Sequence, residues 1–163
     1  MNPRTKRNLI LIAVLVLLVT AVTLWVKTPR TFDQAMGGSF DRARVDQIHA
    51  FVCTVSGTEI REVVLTPDDP AYEELWALLD GQGYYPALEK IHGQQMQLEY
   101  YSYISCWIQK DEVIVPWRVD IPGSRYMQFL GMNRDRHFSP SGGLEFQQDV
   151  IDFLLAQPYT VDP

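Results

Sequence analysis

Residues Leu9–Val26 read LILIAVLVLLVTAVTLWV and contain no charged side chain. The only polar groups in this run are the hydroxyls of Thr20 and Thr23, which can hydrogen-bond to the preceding turn of a helix. As a helix the run is about 27 Å long, close to the ~30 Å hydrocarbon thickness of a bilayer. The sequence therefore predicts a transmembrane helix at 9–26.

The charges that flank this run predict its orientation. Arg4, Lys6 and Arg7 precede it without any acidic residue, whereas the chain that follows is rich in acids. Because short basic flanks stay in the cytoplasm, we expect residues 1–8 to be a cytoplasmic tail and the C-terminal part to lie outside the cell membrane. Trp25 and Lys27 suit the outer interface. The membrane itself is thus the first expected partner.

A cleaved signal peptide is the alternative interpretation of the same residues. Leu9–Val19 would be its apolar region, and Val19-Thr20-Ala21 would offer small residues for cleavage. The apolar run continues for five residues beyond Ala21, which favours a retained single-pass anchor. Both interpretations place the remaining chain outside the cytoplasm.

Composition limits what the rest of the chain can be. Residues 28–163 hold all 20 acidic but only 10 of the 14 basic side chains, a formal charge of −10 against −6 for the whole chain. Such acidity argues against a nucleic-acid partner. With 47% hydrophobic and 12% aromatic residues, the chain has ample material for one packed core. We expect a tether at 27–42, which contains Pro29, Gly37 and Gly38, and a folded domain at 43–163.

Local patterns predict a hairpin followed by a helix. Val45–Val55 and Glu59–Leu65 are β-rich runs separated by the turn signal Ser56-Gly57-Thr58. Asp69 and Pro70 then suit the N-cap and the first position of a helix that ends at Gly81. Its apolar positions follow a spacing of i, i+3, i+4 and i+7: Tyr72, Leu75, Trp76 and Leu79.

The sequence of the second half of the domain predicts a β-meander followed by a final helix. Apolar and polar residues alternate in three runs, at 95–100, 104–109 and 112–119, which is typical of antiparallel strands with one buried face. Pro116 places its strand at an edge or a bulge. Further strands are expected at Tyr84–Ile91 and Arg125–Leu130. We expect an irregular segment at Gly131–Pro140 and an amphipathic helix from about Leu144 to Gln157. The predicted fold is α+β, with two amphipathic helices packed on one face of an antiparallel meander sheet of five or six strands.

The helix start at Leu65–Tyr72, followed by the meander and the terminal helix, gives the chain a familiar layout. It resembles the small, N-terminally membrane-anchored extracytoplasmic proteins of unknown function from Gram-positive bacteria. The resemblance covers about Ile60–Leu155 and concerns layout rather than signature residues. It implies an extracytoplasmic location and a non-enzymatic role, and it assigns no functional residue.

No catalytic or metal-binding motif stands out. His49, His92 and His137 are far apart and lack zinc-ligand spacing, so no metal or other cofactor is expected. The sequence has no GxSxG or SxxK motif for a nucleophilic serine. Asp68, Asp69, Glu73 and Glu74 cluster at a helix N-terminus, where negative charge is favoured, rather than as an acid/base pair. Cys53 and Cys106 fall in predicted strands, and the sequence leaves a structural disulfide and two buried thiols as alternatives.

Two features are candidates for binding. Tyr101 and Trp107 are aromatic rings on the polar face of the meander, a surface suited to a protein partner or a sugar ring. The segment with Arg118, Arg125, Arg134 and Arg136 is locally basic and could receive an anionic group of an envelope polymer. Each feature has a structural alternative. Other residues of the chain could cover the two rings, and the arginines could serve only to neutralise nearby acidic side chains.

The leading hypothesis is a non-catalytic extracytoplasmic interaction domain that binds a protein partner or an envelope glycan. An envelope hydrolase that uses His137 or His92 with an acid not visible in the linear sequence is the competing hypothesis. A third is an assembly protein that acts through its membrane helix.

Overall fold

The computed structural model describes residues 3–37, 40–87, 96–110, 113–131 and 135–161. The helices are α1 (Pro3–Lys27), α2 (Phe32–Met36), α3 (Pro70–Asp80) and α4 (Gly143–Leu155), and a 3₁₀ turn covers Arg42–Arg44. The strands are β1 (Val45–Thr54), β2 (Ile60–Leu65), β3 (Tyr84–Pro86), β4 (Tyr100–Lys110), β5 (Val113–Ile121), β6 (Met127–Leu130), β7 (Asp135–Pro140) and β8 (Thr160–Val161). The α+β class is confirmed.

The strands form one sheet in the order β3-β7-β6-β5-β4-β1-β2-β8, and each neighbouring pair is antiparallel. Strands β4 to β7 are consecutive in the chain and adjacent in the sheet, so the predicted meander is present. The predicted β1–β2 hairpin adds to its β4 side. The edge position or bulge expected for the strand of Pro116 is wrong, because β5 lies between β4 and β6 and pairs with β4 in one continuous register. Pro116 pairs with Trp107 of β4, and the described pairing of β5 with β6 begins at Arg118.

One face of the sheet, called the inner face here, builds the core. Its buried strand residues are Ile48, Ala50, Val52, Val63, Leu65, Ile104, Cys106, Trp117, Val119, Ile121, Met127, Phe129 and Phe138. The buried residues of α3 and α4 belong to the same cluster. In α3 these are the four residues expected from the i, i+3, i+4, i+7 spacing. The two amphipathic helices therefore cover the inner face.

Helix α1 stands apart from this core, since none of its side chains is buried. It is long and apolar enough to cross a membrane, with a mean hydropathy of 3.0 over its most apolar window.

The tether expected at 27–42 needs correction, because part of it belongs to the folded domain. Thr31 and Gln34 form a capping box that starts α2, with Gln34 N donating to Thr31 Oγ1 and Thr31 N donating to Gln34 Oε1. The Phe32 ring is fully buried and packs edge-on or tilted against Trp76, Tyr84 and Phe129. Pro29 and the glycines suggested a linker, but one helical turn there fills the core with Phe32, Ala35 and Met36.

The described residues form eight strands, more than the five or six that were expected. The difference lies partly in Gly131–Pro140, predicted to be irregular, where β7 forms because β6 and β3 pair with it on either side. Among the described residues of the strand predicted over 95–100, only Tyr100 belongs to a strand, and the backbone N–H of Gln97 donates to the Gly123 carbonyl in the β5–β6 turn. The second half of the strand predicted at Tyr84–Ile91 lies outside the described residues.

Asp69 occupies the N-cap position of α3 but does not cap it with its side chain. Its carboxylate instead accepts hydrogen bonds from the backbone N–H and the hydroxyl of Thr66, both at 2.8 Å. These bonds lower the pKa of the Asp69 carboxyl, because they favour its charged form. The stabilisation from this turn is therefore present above the ordinary pKa of an aspartate and is lost as the pH falls through the lowered value.

Candidate functional site

The side of the sheet opposite the core, called the outer face here, carries both aromatic residues singled out in the sequence. Strand alternation places Tyr101 and Trp107 of β4 and Arg118 of β5 on this face, while their neighbours Ile104, Cys106 and Trp117 are buried on the inner face. Strand β1 contributes further side chains to the same layer: His49, Phe51 and Cys53. The outer face thus brings together three of the predicted binding residues.

The aromatic rings of this layer are stacked across strands. Phe51 and Tyr103 lie directly opposite each other on β1 and β4, with ring centroids 4.7 Å apart and an interplanar angle of 19°. The Arg118 guanidinium lies over the Tyr103 ring at 4.0 Å from its centroid. A flat ladder of Phe51, Tyr103 and Arg118 therefore runs across β1, β4 and β5.

A second stack lies farther along the same strands. Trp107 stacks on His49 with centroids 4.8 Å apart, and His49 Nδ1 is 2.9 Å from Glu62 Oε1 on β2. Trp107 remains 36% exposed, and Val64 of β2, which pairs with His49, is 43% exposed. Large apolar groups thus face the surrounding solvent on this side of the sheet.

Charged groups border the stacked rings. Arg118 Nε donates to Asp120 Oδ1, which holds the guanidinium flat on the sheet. Burial raises the pKa of the Asp120 carboxyl, the hydrogen bond from Arg118 opposes this shift, and the carboxylate of Asp135 adds to it. The outer face therefore has an aromatic centre with Arg118, Asp120 and Glu62 around it, the composition typical of protein–protein interfaces.

Two of the other predicted arginines lie elsewhere in the domain. Arg125 lies exposed in the β5–β6 turn, with its guanidinium 5.4 Å from the centroid of the neighbouring Tyr126 ring. Arg136 of β7 points toward α2, where its Nη1 donates to the Gln34 carbonyl at 3.5 Å. Arg134 lies outside the described residues. The three described arginines of the basic segment, Arg118, Arg125 and Arg136, thus lie at separate places.

The disulfide left open by the sequence is not formed, and both cysteines are free and buried. The register explains why: Cys106 pairs with Ile48 on the inner face, whereas Cys53 pairs with Tyr101 on the outer face. The two thiols thus project from opposite sides of the sheet. A hydrogen bond with the Cys53 thiol, together with burial, raises the pKa of the Tyr101 hydroxyl.

The free thiols lead to a prediction about reactivity. Burial raises the pKa of the Cys106 thiol to about 12, so almost no thiolate exists there at pH 8. We expect a colorimetric disulfide reagent to titrate no thiol in the native protein and two in the protein unfolded without reductant. Two thiols are present in the sequence, so a count of zero after unfolding would contradict the free-cysteine assignment.

The two histidines that the structure describes, His49 and His137, lie on β1 and β7, which are not neighbours in the sheet. The hydrogen bonds described for His49 go to Glu62 and Gln47, and His137 Nδ1 is buried without a partner. His92 lies outside the described residues. Among those that are described, no three His, Cys, Asp or Glu residues come together as metal ligands would.

The sequence did not indicate five residues of the outer face as binding residues: His49, Phe51, Glu62, Tyr103 and Asp120. Strand β1 is apolar on both faces, so its alternation does not show which side is buried. The pairing of β1 with β4 joins distant parts of the chain. The alternating run in β4 was the one available signal for Tyr103.

Comparison of the chain with protein-family models, with curated proteins and with solved structures finds no match.

Proposed function

We propose that the protein is a membrane-anchored, extracytoplasmic interaction domain whose outer sheet face binds a protein partner. Helix α1 would cross the membrane with its N-terminus inside, as the basic residues before it favour. The single observation that carries the binding proposal is the stacked aromatic layer of Phe51, Tyr103, His49 and Trp107. Helices α3 and α4 contribute their buried residues to the opposite, inner face.

The geometry of the rings favours a protein over a glycan. A sugar stacks on the open face of an aromatic ring, but Tyr103 has Phe51 on one side and Arg118 on the other. Trp107 likewise has one ring face against His49. The Tyr103 ring therefore presents its edge, within a mixed apolar and charged surface that suits a complementary protein surface.

A photo-crosslinking experiment in cells tests this proposal. In the full-length chain, a photoreactive amino acid replaces Val64, which is exposed on the outer face. The matched control carries the same amino acid in place of Glu74, an exposed residue of α3. We expect a discrete protein adduct from position 64 and not from position 74.

The dependence of that adduct on Trp107 makes the test specific. Because central aromatic residues of interfaces are worth about 2 kcal/mol or more, Trp107→Ala should reduce the adduct roughly 30-fold. Trp107 is partly exposed, so a thermal melt should show the variant still folded. An adduct that survives Trp107→Ala, or that forms equally at position 74, would exclude the outer face as the binding surface.

A further inference from the structure

A cleft of about 640 Å³ lies where α1 meets the folded domain. Its walls come from the last turns of α1, from α2, and from strands β3 and β7. The lining residues that matter here are Trp25, Arg30, Gln34 and Arg136. The volume falls in the range of roughly 300–1,000 Å³ that is typical of small-ligand sites.

The position of Trp25 sets the depth of the cleft relative to a bilayer. The apolar run ends at Val26, so Trp25 would lie at the level of the lipid headgroups. Arg30 is held next to the domain by two backbone hydrogen bonds with Tyr84, Arg30 N to Tyr84 O at 2.8 Å and Tyr84 N to Arg30 O at 2.9 Å. The cleft therefore opens close to the boundary at which α1 would leave the membrane.

The charged groups of the cleft are suited to an anion. In the part of the chain that the structure describes, neither Arg30 nor Arg136 forms an ion pair with a carboxylate. The hydrogen bond from Arg136 to the Gln34 carbonyl is long, at 3.5 Å, and a guanidinium has five N–H donors. Both arginines thus retain donors for phosphate oxygens, which guanidinium groups bind well.

One acidic residue, Asp135, also lines the cleft. Alternation along β7 places Arg136 on the side of the buried Phe138, and Asp135 on the opposite side. The negative charge of Asp135 raises the pKa of the Asp120 carboxyl, which agrees with an Asp135 side chain on the outer face. The side chains of Asp135 and Arg136 therefore leave β7 on opposite sides of the strand, and no ion pair between them is among those of the described residues.

We propose that this cleft binds the phosphate of an anionic phospholipid headgroup, with Arg30 and Arg136 as donors to its oxygens and Trp25 against the glycerol region. This proposal rests on the membrane anchoring proposed above. It adds a second, lipid-specific contact between the domain and the bilayer, separate from the partner-binding outer face.

Native mass spectrometry of the purified full-length protein in detergent tests the site, with phosphatidylglycerol and phosphatidylcholine as probes. Both lipids carry the same phosphodiester, but the choline of phosphatidylcholine adds a positive charge that the two guanidinium groups repel. We therefore expect phosphatidylglycerol to be retained about tenfold better than phosphatidylcholine. The double variant Arg30→Gln/Arg136→Gln should lose this preference. Arg61→Gln/Arg125→Gln removes the same charge from residues that do not line the cleft, and this variant should keep the preference.

Equal retention of the two lipids by the unchanged protein, or an unchanged preference in Arg30→Gln/Arg136→Gln, would overturn the proposal. Displacement of phosphatidylglycerol by millimolar inorganic phosphate would also overturn it, because the cleft would then be a site for free phosphate. Membrane insertion is checked separately by alkaline extraction of membranes. A protein that inserts and still crosslinks through position 64, but shows no lipid preference, would disprove the lipid site alone.

Discussion

Replacing Phe32 by alanine should lower the free energy of unfolding by about 3–5 kcal/mol, the usual range for a large aromatic side chain removed from a core. The Phe32 side chain is fully buried, and its ring centroid lies 5.7 Å from that of Trp76 and 5.7 Å from that of Phe129. Its removal opens a cavity between α3 and the sheet, and it also releases α2 from the domain. Because domains of this size are stable by only about 5–15 kcal/mol, the loss is a large fraction of the total.

Urea denaturation followed by tryptophan fluorescence measures the effect, since Trp76 and Trp117 are buried near the site. Phe51→Ala is the matched control, because Phe51 is only half-buried on the outer face, and its cost should be about 1–2 kcal/mol. Equal stability of Phe32→Ala and the unchanged protein would mean that the segment around α2 is a tether after all.

Gln147→Leu should destabilise the domain by about 2–4 kcal/mol, since each buried polar group left without a partner costs about 1–3 kcal/mol. Gln147 of α4 is fully buried, and its amide bonds to the β5–β6 turn. Its Oε1 accepts from Gly123 N at 3.1 Å, and its Nε2 donates to the Ser124 carbonyl at 2.6 Å. Leucine fills nearly the same volume, so the loss comes from hydrogen bonding rather than from a cavity.

The neighbouring Gln148 provides the control for this substitution. Its Nε2 donates to Asp152 Oδ1 one turn along α4, in an exposed hydrogen bond. Gln148→Leu should therefore change stability by less than about 0.5 kcal/mol. Hydrogen exchange at the Gly123 amide should accelerate only in Gln147→Leu. Unchanged exchange at Gly123 in that variant would show that α4 does not hold the turn.

The parts of the fold that sequence reasoning predicted well have strong local signals. Helix α3 has an N-terminal proline and four core residues at helical spacing, and all four are buried. The alternation in β4 gave the correct face for Tyr101 and Trp107, because Ile104 and Cys106 between them are fully buried. Such patterns depend only on neighbouring residues, so they can be recognised without knowing the tertiary structure.

The parts that were missed depend on contacts between distant residues. Phe32 lies in a segment with one proline and two glycines, and no periodicity shows that its ring enters the core. Strand β7 has a polar sequence and is stabilised by pairing on both of its sides. The ladder of Phe51, Tyr103 and Arg118 needs three strands in register, which no local pattern predicts.

Cysteine accessibility in whole cells tests the central proposal, a folded domain held outside the membrane by α1. Both native cysteines are buried and should not react, so a single new cysteine can be labelled selectively with a membrane-impermeant maleimide. Glu74 is an exposed residue of α3, so Glu74→Cys should be labelled fully in intact cells. Thr5 precedes the apolar run, so Thr5→Cys should be labelled only after the cells are permeabilised. Labelling of Glu74→Cys only after permeabilisation would contradict the proposed topology and the extracytoplasmic function based on it.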